Sequence, residues 1–570
     1  MSAARRRFDP GLLAVLALGL AAGLCGIRSG LPGPERWRAL PPALRGSSEF
    51  AERLAESWRR LYEEIQRAHR EVLPAEPATY VRGLVMVPPG WSFPPDPLIN
   101  SARSLMTQSE NPDEKKTFII LSRMRPWKLE FEPLYVQYGG SFVYPFGAFL
   151  GAAHALRLAR LTPNLAHYLV HPEDMGRLYL LGRVFILIFH LGTLWGLYAL
   201  GRRLGGARAG LAAALLFAVA PFVATGSHVL KPHPVSAFWF VLAALLAVRG
   251  ADEDSDRDLL LSGVAAGMAV GASLTLPFVA LLPPLMRLCT GRGSWRAALG
   301  GGAVAAAVAA AANPYLIFAP RLFAFEMAFN TPRFAVAPAA IAHMLKHALP
   351  RGVGLGSTLL IAAGLAWGAA GCDRRARAVS WTALIAIALL WLRFSYLAGE
   401  MMLRIFYAPF ALSCAVAGAL IARWPRAAAA AALALALAES GGRASAYLVN
   451  MSMGRGPAST RERAADWIDS HIPAGASVGL LRFPEPPHTP PFQWNRLDLR
   501  VFDKAEALNG AYPEWIVASN VAWSDASPLL HERYETAADF KPAAALGRTP
   551  TDSDFYLNAG FLVLRRSGYR

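Results

Sequence analysis

The chain has 570 residues, of which 54% are hydrophobic and 17% charged, and its formal net charge is +17. Soluble domains carry about a quarter charged residues, so this composition excludes an ordinary soluble enzyme. The basic residues lie mostly in short segments between apolar runs, a pattern that indicates membrane topology and no nucleic-acid partner. The four cysteines form no CxxC pair, so the sequence predicts neither a cysteine metal site nor a disulfide framework.

Apolar runs recur from residue 10 to about residue 440. A hydrocarbon core about 30 Å thick needs roughly 20 apolar residues in a helix, and backbone groups in lipid must pair internally. The sequence therefore predicts a polytopic α-helical membrane protein with about eleven transmembrane helices. One lies at the N-terminus, and the others are predicted at 179–200, 209–228, 235–249, 259–273, 276–290, 297–316, 353–371, 378–396, 403–422 and 425–439.

The distribution of arginine predicts the orientation of these spans. Three arginines precede the first apolar run, which has no clear cleavage signal, so we expect an uncleaved first span and a cytoplasmic N-terminus. Residues 142–160 are then expected to lie along the outer face, because counting them as a span would turn the arginine-rich loops outward. Alternation places the following loops inside: 201–210, 249–258, 287–296, 372–378 and 423–426.

Two further regions are predicted outside the membrane. Residues 32–140 form a long first external loop with juxtamembrane interfacial helices, one of them amphipathic over 49–70. After the membrane domain, 1–440, the composition of 441–570 becomes charged and proline-rich. A helix at 461–475 and strands in VGLLRF, EWIVAS and FLVLRR predict a small external α/β domain there.

The motif NPDEKK, 111–116, carries the first candidate chemistry. A carboxylate beside low-dielectric lipid has its pKa raised, which suits Asp113 or Glu114 to act as a general base. Lys115 and Lys116 are candidates for an anionic leaving group or a lipid phosphate. The alternatives are that the acidic residues lie in a solvated loop and that the lysines only extend their ammonium groups to the membrane–water interface.

A second group lies in SHVLKPHP, where His228, Lys231 and His233 cluster at the external mouth of a span pair. Polar residues at the end of an apolar hairpin often mark a site, but a wet loop with incidental basic residues fits as well. The two histidines have metal-binding capacity, yet no carboxylate has the matching spacing.

Further candidates are scattered. Arg393 and Arg404 bracket a segment between two spans, where arginines either clamp a phosphate or contact headgroups. His343 and His347 have the i, i+4 spacing of one helical face. Tyr138 opens a Tyr/Pro-rich stretch and is included as a site candidate.

The order of these parts resembles a known superfamily. The motif PDE (112–114) is followed by QYGGSFVYPFGAFLGAAHAL, then by GRVFILIFHLGTLWGLYALGRRLGGARAG, then by SHVLKPHPVSAFW. This order, over roughly residues 100–290, resembles the GT-C integral-membrane glycosyltransferases. The similarity is greatest to the branch that contains protein O-mannosyltransferases and the aminoarabinose transferase of lipid A.

The resemblance implies an enzyme that moves a sugar from a polyprenyl-phosphate donor to an acceptor hydroxyl on the outer membrane face, with inversion. It implies Asp113 as the catalytic base and Glu114 as its helper or acceptor contact. The groups implied to stabilise the departing lipid phosphate are Lys115, Lys116, Lys231, His233 and Arg404, with Arg393 as a further candidate. The acceptor is a glycan, lipid or protein, and the setting is the inner membrane and envelope of a bacterium, which the Ala-Arg-Gly bias also suggests.

One departure from that family bears on cofactors. Many relatives carry an acidic residue where this chain has His233. The substitution disfavours a divalent metal, and no cofactor is assigned.

Two alternative functions belong to other classes. A secondary transporter needs internal repeats and mid-membrane ionisable residues, and the sequence shows no duplication. A non-catalytic scaffold that displays the C-terminal domain predicts no dependence on PDE.

Overall fold

The computed structural model describes residues 9–56, 58–60, 97–133, 136, 138–320, 338–371, 373–394, 400–481, 485–502, 512–520, 530–546, 548 and 557–568. The described residues are mostly helical and include a small sheet near the C-terminus. Of the amphipathic helix predicted over 49–70, residues 48–56 and 58–60 are helical, and the rest lies outside the described residues.

The helices of the first half precede and begin the membrane bundle. They are α1 (Pro10–Leu24), α2 (Pro97–Thr107), α3 (Glu114–Arg123), α4 (Gly140–Ala155), α5 (Leu165–Val170), α6 (Pro172–Gly205), α7 (Ala207–Ala218), α8 (Pro221–Gly226), α9 (Pro232–Glu253) and α10 (Asp256–Ala272).

The helices of the second half complete the bundle and enter the C-terminal domain. They are α11 (Leu282–Thr290), α12 (Trp295–Ala312), α13 (Tyr315–Phe318), α14 (Pro338–His343), α15 (Leu349–Gly352), α16 (Leu355–Ala370), α17 (Arg374–Phe394), α18 (Tyr407–Ile421), α19 (Arg426–Ser452) and α20 (Thr460–His471). Short 3-10 turns lie at Pro34–Ala39, Pro42–Leu44, Pro126–Lys128, Pro277–Leu281, Glu400–Phe406, Gly456–Ala458 and Trp494–Arg496, and a π-helical turn at Met344–Ala348.

The bundle is that of an integral membrane protein. Within the described ranges, five helices are long and apolar enough to cross a bilayer, or six if α16 and the bent segment before it form one span. The five are Pro172–Gly205, Pro232–Glu253, Trp295–Ala312, Arg374–Arg393 and Leu403–Ile421. The other predicted spans that the structure describes coincide with shorter or bent helices, or with the longer α19, so the count of eleven stays a prediction.

Prolines explain two of the shorter helices. The run predicted as one span at 209–228 is two helices, and Pro221 begins the second. The run predicted at 276–290 begins with the 3-10 turn at Pro277 before α11 continues it. Proline has no backbone N–H to donate, so it begins helices readily and interrupts them elsewhere.

All five loops predicted on the cytoplasmic side meet at one end of the bundle. Arg203 and Arg375 both pair with Asp252, at N–O distances of 3.1 and 2.7 Å. Arg423 pairs with Asp373 at 3.2 Å, and the Arg292 guanidinium reaches the Asp252 carbonyl oxygen at 3.5 Å. The arginine-rich loops therefore share one face, as the sequence predicts, although the membrane side on which they lie stays a prediction.

The C-terminal domain contains a five-stranded sheet in the order β2-β1-β3-β5-β4. The strands are β1 (Ser477–Leu481), β2 (Asp498–Phe502), β3 (Trp515–Ser519), β4 (Tyr534–Phe540) and β5 (Phe561–Arg566). Strand β1 is parallel to β2 and β3, whereas β5 is antiparallel to β3 and β4.

The predicted helix and three predicted strands of this domain are confirmed as α20, β1, β3 and β5. The sequence analysis missed β2 and β4, which are the two edge strands. Both are largely solvent-accessible and carry charged residues, so neither has the apolar pattern of an inner strand.

The domain boundary is less sharp than predicted. Helix α19 runs from Arg426 to Ser452 without a break and so passes the boundary predicted at residue 441. The domain also shares an apolar core with the segment between α1 and α3, in which Trp37, Leu54 and Leu105 pack with Ile468 and Val478. That segment and the C-terminal domain are therefore one packed unit.

Candidate active site

The candidate site is built on the turn that precedes α3. The Asn111 side-chain oxygen accepts a hydrogen bond from the Asp113 amide at 3.1 Å, which closes an Asx turn over Pro112. Asp113 is the last residue before α3, and its side chain makes no capping hydrogen bond to the helix. Its carboxylate is therefore available for other partners.

Three cations surround the Asp113 carboxylate. Lys231 Nζ lies 2.5 Å from Asp113 Oδ2, Arg404 Nη1 lies 3.3 Å from the same oxygen, and Lys116 Nζ lies 3.3 Å from Oδ1. Only 15% of the Asp113 side chain is exposed. Three cations therefore share this one carboxylate, and the nearest of them, Lys231, is 8% exposed.

This arrangement reverses the expected pKa shift of Asp113. Burial alone raises the pKa, as the sequence analysis assumed, but the charges of Lys231, Lys116 and Arg404 outweigh it. The pKa of Asp113 is therefore held well below its ordinary value. The expectation of a raised pKa is wrong for the unliganded site, since Asp113 is an anion here at any physiological pH.

Tyr138 and His233 lie at the edge of this group. Burial and the nearby Asp113 charge raise the pKa of Tyr138 well above its ordinary value, so its phenol stays a hydrogen-bond donor. His233 is the second residue of α9, half-buried, and close enough for the charges of Arg404, Lys231 and Asp113 to act on it.

Glu114 is next to Asp113 in sequence but faces another way. Its fully buried carboxylate accepts two hydrogen bonds from Arg183, at 3.0 and 2.8 Å, and one from the Leu230 amide at 3.0 Å. Ser109 Oγ donates a further hydrogen bond at 2.5 Å. The structure thus places Glu114, fully buried, as the anchor of this loop on α6 and on the residue before Lys231.

The sequence analysis missed Arg183. Its guanidinium is fully buried and also donates to the carbonyl oxygens of Ile27 and Ser29, at 2.9 and 2.7 Å. The signal was present, because an arginine inside the apolar run GRVFILIF is costly to bury and needs a partner.

Two other predicted residues lie outside the Asp113 group. Lys115 Nζ pairs with Glu485 of the C-terminal domain at 2.7 Å and with the Gln108 side chain at 3.0 Å. The ring nitrogens of buried His228 lie 2.7 and 2.8 Å from the carbonyl oxygens of Ala224 and Cys25. Lys115 is thus paired within the protein, and His228 is buried with one ring nitrogen able to donate to a carbonyl oxygen, so neither side chain is presented to a phosphate.

The remaining candidates, His343, His347 and Arg393, lie on other helices of the bundle. His343 ends α14 and His347 lies in the π-helical turn after it, with ring centroids 5.0 Å apart, so they share one face as predicted. Arg393 lies in the last turn of α17, half-buried. Among described residues, no three His, Cys, Asp or Glu side chains are grouped to hold a metal ion, and metal dependence stays a prediction.

A small, mostly apolar pocket shares Tyr138 with the site. Its wall includes Met124, Val143, Tyr144 and Leu316. The backbone N–H of Gly140 donates to the Asn313 side-chain oxygen at 2.8 Å, which fixes the start of α4 against the end of α12 beside this pocket. The charged group therefore borders apolar side chains on this side.

Comparison with known proteins supports the resemblance on which the sequence analysis relied. Residues 177–318 match the sequence model of a family described as dolichyl-phosphate-mannose-protein mannosyltransferase. The matched segment contains Arg183, Lys231 and His233, and it begins after Asp113. Over these residues the similarity to the protein O-mannosyltransferase branch of the GT-C superfamily is confirmed. No curated protein sequence matches the chain significantly.

Solved structures with similarity include three glycosyltransferases. ArnT from Cupriavidus metallidurans, in the apo state, is 13% identical with a TM-score of 0.44, over 81% of this chain and 95% of that one. The Archaeoglobus fulgidus oligosaccharyltransferase, also apo, is 14% identical with a TM-score of 0.41, over 80% and 75%. Arabinofuranosyltransferase AftD from Mycobacteria is 16% identical with a TM-score of 0.37, over 82% and 40%. These TM-scores are low and do not establish a shared fold, so the family match carries the comparison.

Proposed function

We propose that the protein is an inverting glycosyltransferase that takes a sugar from a polyprenyl-phosphate donor and transfers it to an acceptor hydroxyl. The observation that carries this proposal is the Asp113 carboxylate, on which Lys231, Lys116 and Arg404 converge. A phosphate is a ligand that such a group of ammonium and guanidinium groups favours. The family match over 177–318 agrees with such a donor.

In the proposed sugar transfer, the Asp113 carboxylate and the three cations around it have separate roles. Asp113 accepts the proton of the acceptor hydroxyl while that oxygen forms a bond to the anomeric carbon of the sugar. The bond from the anomeric carbon to the phosphate oxygen breaks, and its electron pair leaves with the polyprenyl phosphate. Lys231, Lys116 and Arg404 stabilise the charge that develops on this leaving group.

Donor binding also changes the pKa of the proposed base, Asp113. In the unliganded site the three cations hold the pKa of Asp113 well below its ordinary value, which makes it a weak base. A bound donor phosphate shares those cations, so the pKa of Asp113 rises in the complex. The site is thereby primed for proton transfer only when the donor is in place.

The surroundings suit the rest of the substrate. The first part of the polyprenyl chain is proposed to lie against the apolar side chains beside Tyr138. In the proposed topology the chain crosses the inner membrane about eleven times. The Asp113 group and the C-terminal domain then face outward, and the arginine network around Asp252 faces the cytoplasm. The acceptor is a glycan, lipid or protein of the cell envelope.

The test separates chemistry from binding. Turnover is measured as polyprenyl phosphate released from a panel of polyprenyl-phosphate monosaccharides by the purified full chain in nanodiscs, with envelope glycans, lipids and proteins as acceptors. Binding is measured with undecaprenyl phosphate alone. Asp113→Asn is expected to lose about 10²–10⁴-fold in turnover.

The same variant is expected to bind undecaprenyl phosphate at least as tightly as the wild type, because removing the Asp113 charge removes a group that repels the phosphate and competes for the three cations. Asp113→Glu, which keeps the charge, is the matched control and is expected to retain part of the turnover. Near wild-type turnover by Asp113→Asn contradicts the proposal.

A further inference from the structure

We propose that the C-terminal domain is a positioning element of the active site, which sets the turnover rate by holding the loop that carries Asp113. This inference rests on the proposed function. The family-matched segment, 177–318, contains none of the residues of the two ion pairs on which this inference rests. The evidence lies in two buried ion pairs that flank Asp113 in sequence.

The first pair lies three residues before Asp113. The Glu110 carboxylate accepts hydrogen bonds from Arg461 Nε and from the backbone N–H of Asn558, both at 2.8 Å. Its side chain is 4% exposed and that of Arg461 5% exposed. Asn558 itself is hydrogen-bonded to Thr460 and Asn450, so Glu110 is connected to α19 and α20 of the domain.

The second pair lies two residues after Asp113. Lys115 Nζ is 2.7 Å from Glu485 Oε1, and the side chains are 5% and 13% exposed. The Glu485 carbonyl oxygen accepts from the amides of His488 and Thr489, at 2.9 and 3.0 Å, which forms a tight turn. The Thr489 carbonyl oxygen in turn accepts from Arg461 at 3.1 Å, so the two pairs are joined inside the domain. We refer to Glu110–Arg461 and Lys115–Glu485 together as the loop clamp.

A third contact, made by Glu114, holds the same loop to the helix bundle. Glu114 is fixed to Arg183 of the bundle and to the Leu230 amide, next to Lys231. The loop is thus held by the C-terminal domain at Glu110 and Lys115 and by the bundle at Glu114. Asp113 lies between these anchors, so its distance to Lys231 depends on both.

Burial explains why the loop clamp has an effect that surface ion pairs lack. Breaking a buried pair leaves an uncompensated charge, which the loop must move to solvate. A displacement of about 1 Å at a catalytic group costs up to about 10²-fold in rate. Lys231 and Arg404 are untouched by such a change, so donor binding is affected less than turnover.

The chain offers a matched control at the same interface. Arg38 pairs with Glu462 at 3.0 Å and with Asp469 at 2.9 Å, which are also contacts of the first connecting segment with α20. Arg38 lies far from Asp113 in sequence and is outside the loop. Arg38→Gln therefore weakens the interface without releasing the loop clamp.

The experiment compares Glu485→Gln, Glu110→Gln and Arg38→Gln in the full chain in nanodiscs. For the first two, kcat is expected to fall about 10–100-fold, with the donor KM within about threefold of the wild-type value. Amide hydrogen exchange over residues 109–116 is expected to accelerate in these two variants. Arg38→Gln is expected to change neither quantity. Glu485→Asp, and the exchanged pair Lys115→Glu with Glu485→Lys, are expected to recover part of kcat.

The outcomes separate this inference from the proposed function. If Asp113→Asn is inactive while Glu485→Gln and Glu110→Gln keep wild-type kcat, the positioning role is overturned and the proposed function stands. An equal fall of kcat in Arg38→Gln also overturns it, because the domain then acts through general stability. If Asp113→Asn keeps its turnover, the proposed function fails, and this inference fails with it even where loop exchange accelerates.

Discussion

The two ends of helix α9 carry two clusters of charge that differ in their balance. Lys231 directly precedes the first residue of α9, and Asp252 lies in its last turn. A helix of 22 residues is about 33 Å long, so the clusters lie on opposite sides of a bilayer-sized slab. Each of them centres on an aspartate with at least two cationic partners.

In the Asp252 cluster the ion-paired arginines and carboxylates are equal in number. Four arginines, Arg203, Arg249, Arg375 and Arg423, pair with four carboxylates, Asp252, Glu253, Asp258 and Asp373. Most of these side chains are 23–48% exposed. Such pairs join loops and contribute little free energy.

The Asp113 cluster has three cations for one carboxylate. The side chains of Asp113 and Lys231 are 15% and 8% exposed, so this carboxylate and its main cationic partner are largely buried. The comparison teaches that the number of arginines and lysines does not mark a site. The two clusters differ in how many cations share one carboxylate and in how deeply that carboxylate is buried.

Removing one cation from each cluster tests this contrast most strongly. Arg404→Gln is expected to weaken undecaprenyl phosphate binding about 10–100-fold, because a hydrogen bond to a charged group contributes about 1.5–3 kcal/mol. Arg375→Gln removes the matching arginine of the Asp252 cluster and is expected to change binding by less than about twofold. Equal effects of the two substitutions, measured in nanodiscs of one lipid composition, contradict the distinction.

The pH dependence of donor binding gives a smaller effect. Burial, followed by repulsion from Arg404, lowers the pKa of Lys231 to about 8, despite attraction by Asp113. Its positive charge is present below that pH and is lost above it, so undecaprenyl phosphate binding is expected to weaken as the pH rises through about 8. We expect Lys231→Arg to shift this alkaline decline upward, because arginine keeps its charge. A decline at the same pH in both proteins assigns it to another group.

The smallest effect is expected at Asp252. Asp252→Asn removes the centre of the Asp252 cluster, whose partners are partly exposed. The melting temperature is expected to fall by a few degrees at most, since exposed pairs contribute about 0–1 kcal/mol. Turnover at 25 °C is expected to stay within about twofold of wild type. A loss of turnover comparable with that of Asp113→Asn contradicts a purely structural role for this end of the bundle.

The sequence predicted much of the architecture because membrane insertion acts on local composition. Apolar runs and arginine-rich loops located the helices and the shared face of five loops. The prolines that divide 209–228 were visible in the sequence, but hydropathy averages over such breaks. Edge strands β2 and β4 were missed because they are paired on one side and solvated, so their residues carry no apolar pattern.

The sequence by itself determined which segment holds the candidate base, since NPDEKK is a compact acidic and basic motif beside apolar runs. Only the tertiary structure decided the role of each residue in it. The four consecutive side chains from Asp113 to Lys116 have different partners. Asp113 pairs with Lys231 and Arg404, and Glu114 pairs with Arg183. Lys115 pairs with Glu485, and Lys116 pairs with Asp113. The physical reason is that a helix turns about 100° per residue, so neighbours in sequence face different surroundings. The charge that each of them meets there comes from distant parts of the chain.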